Sequence, residues 1–69
     1  MNISIETSYI KLDSFLKMIN AVSSGGEAKI VISEGAVLVN GAVEIRRGRK
    51  LYPGDRIRLE GSEHVVKAA

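Results

Sequence analysis

The sequence predicts an α+β domain in which two short helices pack on a small, mostly antiparallel sheet that includes a β-hairpin. Three observations predict it. Apolar residues recur at helical spacing from Leu12 to Val22 and again from Ala28 to Ile32. From Val37 onward the period changes to strict alternation. Between two such alternating runs lies Asn40-Gly41, a strong two-residue hairpin signal.

Taken in order, Ile3 and Ile5 alternate with Asn2, Ser4 and Glu6, which makes a short strand with one apolar face. Thr7 and Ser8 offer hydroxyls to cap a helix running from Tyr9 to about Val22. Its apolar stripe is Leu12, Phe15, Leu16, Ile19 and Val22, and Lys11, Ser14 and Lys17 stay on a wet face. Ser24-Gly25-Gly26-Glu27 reads as a capping box, with the Ser24 hydroxyl on the Glu27 amide and the Glu27 carboxylate on the Ser24 amide. The second helix then runs from about Gly25 to Glu34 and buries Ala28, Val31 and Ile32, with Gly35 ending it in the left-handed region. Val37 and Val39 form the outgoing strand of the hairpin, and Val43 and Ile45 the return. Pro53-Gly54-Asp55 turns the chain again, Ile57 and Leu59 alternate with Arg56 and Arg58, and Gly61-Ser62-Glu63 leads to a last edge strand at His64-Val65-Val66-Lys67.

The chain has 69 residues, which allows one domain, 1–69, with one small core. It has no cysteine, so disulfides and thiolate metal sites are excluded, in keeping with a reducing cytoplasm. Its 45% apolar content is too high for a disordered tail. No apolar run is long enough to span a bilayer, and the opening residues lack the basic and apolar regions of a signal peptide. The expectation is a cytoplasmic protein with no membrane partner.

Charge is segregated. Arg46-Arg47-Gly48-Arg49-Lys50 contributes +4 to a chain whose net charge is +2, so the remainder sums to −2. A basic loop beside an otherwise balanced domain points to a polyanion, nucleic acid first. Arginine forks suit phosphate oxygens, and Gly48 lets the loop bend so that several converge. The bland alternative is a solvated loop, which charge runs usually are.

Lys11-Leu12-Asp13, Ser24 with Glu27-Ala28-Lys29, Gly35-Ala36-Val37-Leu38-Val39-Asn40-Gly41 and Gly54-Asp55-Arg56-Ile57 follow one another in an order and spacing that resemble the S4-like RNA-binding domain. The resemblance covers about residues 9 to 60. Where that family typically places basic residues after the serine of the second helix, this chain has Gly25 and Gly26. The Ser-Gly-Gly-Glu-Ala-Lys string and the Arg-Arg-Gly-Arg-Lys run are similar to the short, stand-alone bacterial branch of the YaaA and YbcJ type. The resemblance implies an αL motif and RNA binding without chemistry, on structured RNA such as ribosomal or transfer RNA. It also implies a role in ribosome assembly at a ribosomal subunit.

The candidate contacts are Lys11, Lys17 and Lys29 from the helices, Asn40 from the turn, and Arg46, Arg47, Arg49 and Lys50 from the loop, all expected around one basic concavity. Each lysine has a plain surface-residue alternative. The Ser24, Gly25 and Gly26 amides could hold a phosphate at a helix start, against the rival of a simple capping box with helix-packing glycines. Asn40 is chiefly turn chemistry, although its place beside the loop leaves it able to touch RNA. Tyr52, beside Lys50, could stack on one base, but two tyrosines do not make a single-strand platform.

His64 has no cysteine and no evident second ligand, so no metal site is expected, and no nucleophile arrangement or nucleotide-binding loop is present. No cofactor is expected and an enzyme ranks last. A protein–protein adaptor using the loop against an acidic partner is the alternative. Duplex DNA ranks lower, because neither helix carries the Arg/Asn/Gln set of a reading helix. A monomer is expected, with strand edges at residues 2 to 6 or 64 to 67 able to pair with a second copy.

Overall fold

The computed structural model describes residues 2–69, so Met1 of the expected 1–69 domain lies outside the described residues. The elements are β1 (Asn2–Ile5), β2 (Ile10–Lys11), α1 (Leu12–Met18), α2 (Gly25–Ser33), β3 (Val37–Val39), β4 (Ala42–Val43), β5 (Lys50–Leu51), β6 (Arg56–Leu59) and β7 (Ser62–Ala68). Five strands form one sheet in the order β1-β7-β6-β3-β4, and β2 pairs with β5 in a separate two-stranded ribbon. The β1–β7 pair is parallel and all the others are antiparallel. Two helices on a mostly antiparallel sheet is the predicted fold class.

One face of the sheet is buried. Ile5, Val37, Val39, Ile57, Leu59 and Val66 supply it, and Leu12, Phe15, Leu16, Val22, Ala28 and Ile32 close over it from the helical layer. Full burial of side chains of this size contributes roughly 1.5–3 kcal/mol each, and a core of this kind explains how a cysteine-free chain of 69 residues stays folded. Ile19 and Val31, expected in the buried stripes, are partly buried and pack against the core. His64 lies on the same face, edge-on to Phe15 with ring centroids 6.2 Å apart.

The first helix is shorter than expected at both ends. Ile10 and Lys11 are drawn into the ribbon with Leu51 and Lys50, so the helix begins at Leu12 and not at Tyr9. The expected caps do not form. Lys11 is the N-cap with no side-chain cap, and the Thr7 hydroxyl donates to the Tyr9 carbonyl. At the other end Asn20 takes φ +60°, its amide donates to the Lys17 carbonyl, and the Ala21 amide donates to the Leu16 carbonyl. That is a Schellman ending with asparagine in the left-handed position, and it stops the helix before Val22.

The second helix ends the same way. Gly35 has φ +79°, its amide donates to Ile32, and the Ala36 amide donates to Val31. At its start the Ser24 hydroxyl accepts from the Glu27 amide as expected. The Glu27 carboxylate, however, reaches the amide and hydroxyl of Ser23, one residue earlier than a capping box requires.

In the hairpin Asn40 and Gly41 have φ +53° and +86°, the both-positive signature of a type I′ turn. The return strand is only Ala42–Val43, and Val43 and Ile45 are exposed, at 59% and 64%. The turn into the last strand is Glu60-Gly61, since Leu59 pairs with Ser62. As a result β7 is longer than expected and lies between β1 and β6, not at an edge.

Candidate nucleic-acid interface

Residues 44–49 connect β4 to the ribbon, and their backbone is tied to the start of α1. The Leu12 amide donates to the Arg49 carbonyl at 2.9 Å and the Asp13 amide to the Arg47 carbonyl at 3.0 Å. First-turn helix amides have no partner inside the helix. Here the basic loop supplies two of those partners, which fixes the loop against the helical layer. The Arg49 amide donates to the Arg46 carbonyl and closes a turn within the run.

The side chain that organises the loop is an acid. Glu44 is 5% exposed although its sequence neighbours Val43 and Ile45 are open to solvent. Register explains this. With a two-residue turn at 40–41, Leu38 pairs with Val43 and Val39 with Ala42, and the Glu44 amide donates to the Val37 carbonyl. Glu44 therefore shares the inward face of Val37 and Val39, at the sheet edge, while Val43 and Ile45 take the outward one.

Its Oε2 accepts from Arg46 Nε at 3.0 Å and from the Arg46 amide at 3.1 Å; its Oε1 accepts from Arg46 Nη2 at 3.1 Å and Arg49 Nη1 at 2.8 Å. The Arg46 guanidinium, then that of Arg49, hold the carboxyl down to about 2, against a smaller upward push from desolvation. The Arg46 guanidinium is in turn shifted upward by Glu44.

The ribbon adds two more cations. Lys11 and Lys50 are direct cross-strand partners. The Lys50 ammonium lies 4.9 Å from the centre of the Tyr9 ring, and Tyr9 and Tyr52 sit 6.1 Å apart. Lys11, Arg47, Lys17 and Lys29 carry no ion pair among the described residues.

The structure therefore brings together Lys11, Arg46, Arg47, Arg49 and Lys50. It does not bring the rest to the same place by any contact. Lys17 is in the last turn of α1, the end away from the loop, and Lys29 is an exposed residue of α2. Asn40 is committed elsewhere: its amide group donates to Asp55 at 3.1 Å and its Oδ1 accepts from the Arg56 amide at 2.9 Å, clamping the hairpin to the start of β6. Gly25 and Gly26 make no close packing approach, because a Cβ at Gly25 would meet nothing within 4 Å and one at Gly26 only the Ser24 hydroxyl at 3.9 Å. The expected helix-packing role of these glycines is thus not found. No pocket forms among the described residues, so the cations stand on an open face and not in a closed hollow.

Glu44 is the residue that reading the sequence missed. The signal was present: counting outward from Asn40-Gly41 pairs 39 with 42 and 37 with 44, so an inward Val37 requires an inward Glu44.

The S4 domain model matches residues 3–67, and the chain belongs to the S4 domain family. It is 52% identical over 59 residues to RlbA of Bacillus subtilis (strain 168), whose name describes a probable ribosome maturation protein; the match spans 86% of this chain and 83% of that one. It is 40% identical over 60 residues to YbcJ of Escherichia coli (strain K12), which bears the name of a putative RNA-binding protein, with 87% and 86% of the two chains covered. The solution structure of YbcJ, described as revealing an αL motif involved in RNA binding, superposes with a TM-score of 0.72 at 35% identity, covering 97% of this chain and 86% of that one.

Proposed function

We propose that this chain binds structured RNA, ribosomal or transfer RNA, without chemistry of its own. The contact surface is the 46–50 loop together with the Lys11–Lys50 ribbon. One observation carries the reading. Lys11 and Lys50 are held directly opposite each other, an arrangement that like charges disfavour. Arg47, without an ion pair among the described residues, stands beside them. An anion laid across the ribbon relieves that repulsion, and a phosphate backbone supplies anions at regular spacing. Recognition is by shape and backbone, as suits A-form RNA. Family membership and the names of RlbA and YbcJ support the reading, and the RlbA name supports a role in ribosome maturation, which we place at a ribosomal subunit in the cytoplasm.

Lys11, Arg46, Arg47 and Lys50 make the contacts, and Arg49 braces the loop. Lys17, Lys29 and the Ser24–Gly26 amides extend the footprint where the RNA crosses the helices. Because Glu44 offsets one of the five cations of the loop and ribbon, about four phosphates are neutralised, and log K falls with log salt at a slope between roughly −2.8 and −3.6.

One observation favours a second reading, a protein adaptor: Val43 and Ile45 expose apolar surface next to the basic run. Fluorescence anisotropy of a labelled ribosomal RNA hairpin separates the two. RNA binding predicts saturable binding that an acidic peptide does not displace and that duplex DNA of matching sequence does not equal. Displacement by the peptide at stoichiometric levels supports the adaptor, and equal affinity for duplex DNA contradicts the structured-RNA reading.

A further inference from the structure

We propose that Glu44 is a positioning residue for RNA binding: it occupies one edge of the Arg46 guanidinium and thereby presents the opposite edge to an RNA phosphate. The inference rests on the RNA-binding reading and adds to it an acid that favours binding of an anion.

A guanidinium has five N–H donors on a planar fork. In Arg46 the Nε and Nη2 donors that face Glu44 are taken by its two oxygens. The Nη1 group and the outward hydrogen of Nη2 remain. These form the end-on edge, the edge that grips a phosphate or carboxylate through two parallel hydrogen bonds. The Arg46 side chain is 74% exposed while that of Glu44 is 7% exposed, so the pair is oriented with the acid inside and the fork outside. Arg49 completes the arrangement from within: it is 32% exposed and spends Nη1 on Glu44. The Arg46 amide also donates to Glu44, which fixes the backbone that carries the fork.

An arginine free in a loop has many rotamers, and ordering it opposes binding. One already held by a carboxylate has settled that before the RNA arrives. The sign of the prediction is therefore opposite to that of simple charge counting. Glu44→Gln makes the protein more positive by one unit, yet it loosens Arg46 and weakens RNA binding. If Glu44 instead only competed with phosphate, the same variant would bind more tightly.

The experiment measures the affinity of a labelled ribosomal RNA hairpin for wild type, E44Q, R46K, the E44Q/R46K double variant and R47A, with thermal melts to check folding. E44Q is expected to bind roughly 2- to 10-fold more weakly, the range that ordering one rotamer-rich side chain spans. R46K keeps the charge but lacks a two-edged fork and is expected to lose at least as much. In the R46K background E44Q is expected to have no further effect, because Glu44 acts through Arg46.

E44Q affinity equal to or above wild type overturns the proposal, and so does an undiminished E44Q effect in the R46K background, which would mark a merely structural role. Should E44Q melt below the assay temperature, R46K decides alone, and unchanged affinity overturns the proposal. R47A leaves the Glu44 pairs intact. Its failure to weaken binding would count against the basic loop as the RNA-binding surface, not against the role of Glu44.

Discussion

Glu44 and Asn40 are polar residues at a hairpin, and each is bound to partners that the local residue pattern does not imply. Glu44 is closed in by Arg46 and Arg49, which hold its carboxyl at about 2 against an ordinary value of 4.5. A depressed folded-state value means that the charged form is favoured by folding. The stabilisation is complete above pH 4.5 and is lost as pH falls toward 2. Urea unfolding of wild type and E44Q between those limits is expected to give a stability difference that shrinks as the solution is acidified; parallel profiles would contradict the assignment. The basic run was legible in the sequence because four of its five residues are cations. The partner that orders it was not. An acid between two apolar residues reads as the solvent-facing member of an alternating strand, and only the register set by the type I′ turn turns it inward. Asn40 was legible as a turn residue for its left-handed φ, but its clamp on Asp55 and Arg56 spans 15 and 16 residues and no local pattern reports it.

Both helices end in the left-handed region, one through Gly35 and one through Asn20. The glycine is legible as a stop and the asparagine is not, because asparagine in a helical stretch carries only a weak stop signal compared with glycine. Gly35→Ala is expected to destabilise the fold by about 1–2 kcal/mol, the steric penalty of a side chain in that conformation. Gly26→Ala is expected to go the other way, raising stability by up to about 1 kcal/mol, since the position is helical and open. Urea denaturation measures both, and a stabilising Gly35→Ala would show that the Schellman ending is not what stops α2. The same Gly26 variant reports on the helix start: weakened RNA binding with an intact fold would mark its amides as a phosphate site, and unchanged binding would remove them from the footprint. The late start of the first helix has a different cause. Nothing near Tyr9 or Ile10 in sequence opposes helix. The β2–β5 pairing does, and it joins residues some 40 positions apart, Ile10 to Leu51 and Lys11 to Lys50.

The molecule as a whole has a Cα radius of gyration of 10.6 Å, against about 11 Å expected for a compact chain of this length. Its core draws on both helices and on four of the five strands of the sheet, β4 excepted. Phe15 is fully buried in it, and Phe15→Ala is expected to remove about 3–5 kcal/mol, a large share of the stability of any small domain; a circular dichroism melt close to wild type would contradict that placement. The general fold was legible because helical and alternating apolar periods meet at an unambiguous turn. The strand order was not, since the parallel β1–β7 pair joins the two ends of the chain and puts β7 inside the sheet. That closure leaves β1 and β4 as the edges of the sheet, while the separate ribbon carries Lys11 and Lys50 side by side.

The central claim is that the cations of the ribbon and its loop meet an RNA backbone. It is tested most directly by the salt dependence of hairpin RNA affinity for wild type and for an Arg47→Ala/Lys50→Ala variant. The wild-type slope of log K against log salt is expected between roughly −2.8 and −3.6, with the variant shallower by about 0.7–0.9 for each phosphate that it leaves unneutralised. Equal slopes for the two proteins, or a wild-type affinity that salt does not change, would contradict the account.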